Sequence, residues 1–247
     1  MYCESGFGKK FIGNSFSEYQ QGEMAFIGKN VPHLFKADNS FYEPATTVKP
    51  GSIVIQFLED FLGASFFNSR EMMEMKRVLS LSMNGLMIVG ETREKIKAAM
   101  FEMIDASKID RLKGLIEIFG LLSFSNDLQP LSVSTISGIN AKDSLKMHRV
   151  LEYALNNHRE EVCVEEAAKL ANLSESAFCR YFKSRTQKSF VSFVIEMRLN
   201  EACKLLKETD LSVLEICYDS GFKNLSNFNR LFRKQFNVNP LEYRRSS

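Results

Sequence analysis

The stretch SGFKNLSNFNRLFRKQF, Ser220 to Phe236, sets Gly, Asn and Ser in a tight cluster ahead of a run where Phe, Arg and Phe recur at close spacing. Shifted by fifty residues, the chain meets itself there. Ser176 falls on Ser226, Phe178 on Phe228, Arg180 on Arg230, Phe182 on Phe232 and, further on, Phe193 on Tyr243. Upstream, VEEAAKLANLS (Val164–Ser174) matches VLEICYDSGFKN (Val213–Asn224) once one residue is added in the turn. Each copy is read as a short helix, a tight turn and a longer helix.

The physics of the repeated unit is specific. Phe at i and i+4 on the longer helix share one face and dock on the shorter helix. Ala168 and Cys217 are small enough to let the two helices approach. The turn needs a residue tolerant of positive φ, which Gly221 supplies in the second copy and Asn172 in the first. Ser174 and Asn224 are suited to cap the longer helices. Arg180 and Arg230 stand two residues from either Phe, about 200° around the helix. They therefore face outward with Ser176, Ser226 and Asn227. This pattern is a helix-turn-helix whose second helix offers a polar, basic face to a DNA major groove. One such hairpin would be ordinary; two at fixed spacing, joined by the amphipathic run Phe190–Leu206, are not.

On these residues the segment Met147–Arg245 resembles the DNA-binding domain of AraC/XylS-type transcription regulators. The resemblance rests on EEAAKLANLSESAFCRYFK, on MRLNEACKLL in the joining helix, and on LEICYDSGFKNLSNFNRLFRKQFNVNPLEYRR. It implies two helix-turn-helix units on a linking helix, reading successive major grooves about 34 Å apart. It further implies base contacts from Ser176, Cys179, Arg180, Ser226, Asn227 and Arg230. Arg suits bidentate pairing with guanine, and Ser or Asn suits several bases. Lys183, Arg185, Lys188, Lys223, Arg233 and Lys234 are expected on phosphates, which position without specifying. Arg198 on the linking helix is read as structural. Two residues depart from the family's pattern: Glu175 puts an acid at the start of the first reading helix, and Leu225 replaces a polar position and suits a thymine methyl.

The remaining chain reads differently. Up to Leu58 it is turn-rich, with β-like runs in KKFIGNSFSEY, GEMAFIG and SIVIQFL. Residues 59–90 are mixed. From Thr92, a candidate cap, Ile96, Ala99, Met100, Met103 and Ile104 repeat at helical spacing. After a break near Ser107, Leu112, Leu115, Ile116, Phe119 and Leu122 form a second stripe, predicting an antiparallel helix pair. Ser123–Ser144 lacks periodicity and reads as a linker.

GEMAFIGKNVPHLF resembles part of the cupin-like β-barrel that precedes this DNA-binding domain in the family, and helices 92–122 resemble its dimerisation hairpin. The chain begins later than the family's barrel, so a shortened barrel or a late-assigned start is expected. His33 alone in that half does not make a cupin metal site; no metal and no cofactor are expected. His148 and His158 are read as lying on helix surfaces.

Composition sets outer bounds. The 247 residues carry 32 Lys and Arg against 30 Asp and Glu. From Ala141 onward the count is 18 against 14, leaving 14 against 16 before it, so a polyanion would meet the C-terminal part. Five cysteines in no paired motif argue against a disulfide framework, and the four late ones read as small helix residues. With no long apolar run and no leader pattern, a cytoplasmic protein is expected. No Ser/His/Asp set, phosphate-binding glycine loop or paired carboxylate motif points to an enzyme.

The expected fold is α+β: a partial cupin-like barrel with a two-helix hairpin (1–122), a linker (123–144), and an all-α domain of two helix-turn-helix units (145–247). The expected function is sequence-specific transcriptional regulation, as an activator. Its expected partners are double-stranded DNA, RNA polymerase, a small-molecule effector and a second copy through helices 92–122, with no membrane. The rival reading is a cupin-type small-molecule-binding protein or enzyme with a helical appendage.

Overall fold

Eight short strands and ten α-helices are present among the residues described by the computed structural model, 1–44, 46–131 and 141–246, where the side chains of 141, 142 and 144 are excepted. The chain divides into two compact units, Met1–Ile139 and Asn140–Ser247.

In the first unit all strand pairs are antiparallel. The hairpin read in KKFIGNSFSEY is β2 (Gly8–Ile12) and β3 (Ser15–Tyr19), and β5 (His33–Ala37) pairs with the other edge of β2. The second sheet is built from β1 (Tyr2–Ser5), β4 (Met24–Phe26), β6 (Gly51–Ile53), β7 (Leu86–Ile88) and β8 (Leu128–Pro130), in the order β6-β1-β4-β7-β8. Strand β8 corrects the sequence reading, because it lies inside the stretch taken as linker. Of that stretch, residues 132–140 lie outside the described residues. A three-residue strand is too short to show periodicity, and Pro130 is tolerated because β8 is a sheet edge.

Helices α1 (Met73–Ser82), α2 (Gly90–Glu102) and α3 (Lys108–Ser123) pack on this sheet. Met75, Val78, Ile96, Met100, Leu115, Phe119 and Leu122 meet Met24, Leu86 and Ile88 in one core. Phe119 sits edge-on to Phe57 at 5.0 Å and Phe67 at 5.4 Å, so the phenylalanine-rich segment of mixed pattern is anchored on α3. The predicted pair α2–α3 is present, and Ser107 caps α3 by accepting from the Asp110 amide. Thr92 is not the cap of α2. The helix begins at Gly90, and Asp127 accepts from the Thr92 amide at 3.0 Å, from a turn thirty-five positions away. That bond holds the Asp127 carboxyl below the usual carboxylate range. Ile104 and Ile116, members of the two apolar stripes, are exposed, together with Phe101 and Ile109.

Between the strands, the ammonium of buried Lys10 pairs with Glu23. The void they line with Cys3, Tyr19, Phe35 and Met87 measures about 10 Å³, room for about one water. His33 stands exposed on β5, its ring Nδ1 2.8 Å from the Val31 carbonyl.

The second unit is helical: α4 (Ala141–Asn157), α5 (Val164–Leu170), α6 (Glu175–Thr186), α7 (Phe190–Glu208), α8 (Val213–Asp219), α9 (Leu225–Phe236) and α10 (Pro240–Ser246). Helix α7 covers the joining run Phe190–Leu206, and α4 begins at Ala141, four residues before the expected start of the all-α domain at 145.

Candidate nucleic-acid interface

The interface is best built from its buried side. In the first helix-turn-helix, α5–α6, Phe178 and Phe182 are fully buried at 5.8 Å from one another. Both meet Phe190 at 5.2 Å, and Phe182 reaches Phe193 at 5.5 Å. In the second, α8–α9, Phe228 and Phe232 are fully buried at 5.6 Å. Phe222 covers Phe228 at 5.1 Å, and Tyr243 meets Phe232 at 5.6 Å. Aromatic pairs at this separation stabilise beyond their buried area by about 0.5–1.5 kcal/mol. The alignment of Phe193 with Tyr243 is thus a shared contact.

The turns repeat as closely. Asn172 and Gly221 take φ of 53° and 87°. In each copy the next residue's amide returns to the preceding helix, Leu173 to the Ala168 carbonyl and Phe222 to that of Cys217, both at 3.0 Å. Ala168 and Cys217 are buried, as the close helix approach requires. Ser174 accepts from the Ala177 amide at 3.4 Å and Asn224 from the Asn227 amide at 2.9 Å, each capping its reading helix. Both reading helices end on a left-handed residue, Gln187 and Asn237. These ends fix the direction in which α6 and α9 present their outer faces.

On those faces Ser176, Cys179, Arg180, Ser226, Asn227 and Arg230 are all exposed. Asn227 accepts from the Arg230 guanidinium at 2.8 Å, one turn along α9. Among the cations expected on phosphates, Lys183, Lys223, Arg233 and Lys234 are exposed; Lys223 also pairs with Glu161 at 3.1 Å. Two are placed otherwise. Arg185 is half-buried, donates to Asp143 at 3.1 Å and lies over the Tyr181 ring. Lys188 pairs with Glu196 at 2.5 Å. Both hold helices of this unit together, and their partners, on α4 and α7, lie outside the motif that suggested a DNA role. Leu225 is half-buried against the second core, while Glu175 is exposed at the start of α6, where a carboxylate suits the helix dipole.

Arg198 has the structural place expected of it. Its guanidinium donates to the His158 and Glu160 carbonyls at 2.6 and 2.8 Å, and burial lowers its pKa. Burial, with the Asp143 charge behind it, pushes the Tyr181 hydroxyl up to about 12; at neutral pH it donates to the Asp143 carbonyl. His158 corrects the sequence reading: it is buried at the end of α4, with Glu201 of α7 beside it. His148 is exposed. Of the late cysteines, Cys203 and Cys217 are buried but Cys163 and Cys179 are exposed. Beside Arg230, a groove of about 920 Å³ is lined by Val213, Leu225, Arg233, Lys234 and Leu241, extending the cationic surface along α9. The sequence reading missed it, because Val213 and Leu241 belong to elements on either side of the reading helix.

A family model described as "Helix-turn-helix domain" matches residues 167–246. The HTH-type transcriptional regulator YdeC of Bacillus subtilis is 31% identical over 41% of this chain, and the transcriptional activator RhaS of Salmonella arizonae 32% over 45%. The chain spans well under half the length of these relatives, 35% and 40%. Among solved structures, the DNA-binding domain of the global transcriptional factor AdpA, in complex with a target DNA, is 32% identical over 39% of this chain and 87% of that one, with a TM-score of 0.38. No described helix is long and apolar enough to cross a membrane. With the repeated hairpins, their caps and the linking helix in place, residues 167–246 of this chain are an AraC-type helix-turn-helix domain.

Proposed function

We propose that this chain is a sequence-specific DNA-binding regulator of transcription that sets α6 and α9 into successive major grooves and acts as an activator in the cytoplasm. One observation carries the reading: two copies of one frame bury the same aromatic pairs and turn the same positions, 176 and 180, 226 and 230, to solvent. A helix kept for packing alone has no reason to repeat its outer residues.

In this reading Ser176, Cys179, Arg180, Ser226, Asn227 and Arg230 meet base edges. Lys183, Lys223, Arg233 and Lys234 meet phosphates. The activator assignment is supported by the similarity to RhaS, and RNA polymerase is the partner it implies. A second copy is proposed at α2–α3, supported by the exposed Phe101, Ile104, Ile109 and Ile116. A small-molecule effector would have to open the Lys10–Glu23 void to enter it.

Selection from random duplexes with the full chain, followed by affinity against salt on the winner, tests the proposal. The expected result is an enriched site with two short motifs about one helical turn apart. Steeply salt-dependent binding with no enriched motif would reduce the role to phosphate attraction and sink the specific reading.

A further inference from the structure

We infer that α4 and the segment after it, residues 158–161, form a second strut between the two reading helices, locked by Glu201. The inference rests on the DNA-reading proposal above. The chain itself supplies one connection, α7, which leaves the first hairpin and enters the second. A single helix between two small hairpins leaves each free to pivot about its end. A second, independent connection removes that freedom.

Helix α4 reaches both hairpins. At its start Asp143 is held by α6, the first reading helix: the Tyr181 hydroxyl donates to its carbonyl and Arg185 to its carboxylate, each at 3.1 Å. About fourteen residues and 21 Å further along, its end meets the turn of the second hairpin. A β-carbon on Gly221 would stand 2.7 Å from the His158 carbonyl and 2.8 Å from that of Arg159, so the two backbones touch there. Lys223 pairs with Glu161 across the same contact. Phe222, whose ring lies 6.0 Å beneath the Arg198 guanidinium, covers the second core.

Glu201 locks this junction to α7. Its carboxylate is 2% exposed, is paired with Arg159, and lies 3.8 Å from His158 Nε2. Arg198, one turn earlier on α7, binds the His158 and Glu160 carbonyls from the same side. A carboxylate this deep is tolerated only with its partners in place, so segment 158–161 has one seat. Asp143, α4, segment 158–161, the Gly221 turn and α7 thus close a loop of contacts around the two hairpins. Glu201 and Arg159 act as positioning residues: they touch no DNA and set the distance between α6 and α9.

Spacing is therefore the readout. Full-length protein is titrated on the selected two-part duplex, and on duplexes with one base pair added or removed between the half-sites. Wild type should lose about tenfold or more on either altered spacing, the scale of a mismatched contact. Glu201→Gln and Arg159→Met should bind the selected duplex more weakly, with the spacing penalty reduced to about threefold or less. Arg159→Lys should restore the full penalty. Arg159 has a side chain 58% exposed, so its replacement is the folded fallback if Glu201→Gln melts early. Variants that weaken all three duplexes by one common factor would overturn the inference, as would a wild type indifferent to spacing. A wild type with no two-part site would instead remove the DNA-reading proposal, and this inference with it.

Discussion

The two helix-turn-helix units share a frame and differ in how each equips it. Helix α9 contains no acid and carries Arg230, Arg233 and Lys234; α6 opens on Glu175 and commits Arg185 to Asp143. Fifty positions before Asn227, which holds Arg230, stands Ala177, which has no side-chain acceptor for Arg180. A guanidinium already held in place loses less freedom when it pairs with a base. The second unit is therefore expected to dominate affinity and specificity, and the first to add contacts at a fixed offset. The lesson is that duplicated packing does not imply duplicated binding.

The frame itself gives the largest effects, and they should be equal. Phe182→Ala and Phe232→Ala each remove a fully buried ring, at about 3–5 kcal/mol of stability. Denaturant melts of the full chain check this. A difference of more than half between the two would mean the copies are not energetically equivalent.

Next come the turns, where the copies should part. Gly221→Ala brings a β-carbon against the His158 and Arg159 carbonyls at a φ of 87°, and should cost about 1–3 kcal/mol or more. Asn172 already carries a β-carbon at 53°, so Asn172→Ala should cost about 1 kcal/mol at most. Equal losses in thermal melts would show that the junction with segment 158–161 is not what demands glycine.

How much of this was legible depends on the reach of each cause. The helical unit could be read closely because its signals are local: Phe at i and i+4, a cap three residues before its donor, a glycine in a tight turn. The repeat then checked each signal against the other. What escaped the reading has causes far along the chain. His158 is buried beside Glu201, forty-three positions on; Arg185 is paired with Asp143, forty-two positions back; the Thr92 amide at the start of α2 is bound by Asp127. In the first unit β4, β6, β7 and β8 have three residues each, so neither alternation nor length marks them. The exposure of Ser176, Arg180, Ser226, Asn227 and Arg230 followed from the hairpin pattern, but the Asn227–Arg230 bond was not singled out.

Binding measurements sharpen the contrast further. Arg230→Ala should lose about 1–3 kcal/mol on the preferred site and relax one base position. Arg180→Ala should lose less, toward the lower end of that range. Competition against single-base variants of the selected site separates the two. A uniform loss across sequences would assign the arginine to phosphate, and a larger loss at Arg180 would invert the proposed dominance.

The smallest effect tests the cause of the difference rather than its size. If the Asn227 oxygen orients Arg230, then Asn227→Ala should weaken discrimination at the base read by Arg230, with about 0.5 kcal/mol or more of coupling in the double-mutant cycle. The converse substitution, Ala177→Asn, places an acceptor three residues before Arg180 at the matching position of α6. It costs about 0.5 kcal/mol in helix propensity and leaves the Ser174 cap intact, because that bond uses the Ala177 backbone amide. Discrimination at the base facing Arg180 should then rise by about the same 0.5 kcal/mol, a factor of two to three. A gain there and a loss in Asn227→Ala would trace the asymmetry of the two units to one side-chain oxygen. No gain at Arg180 would place it instead in the charges, with Glu175→Gln as the next substitution to measure.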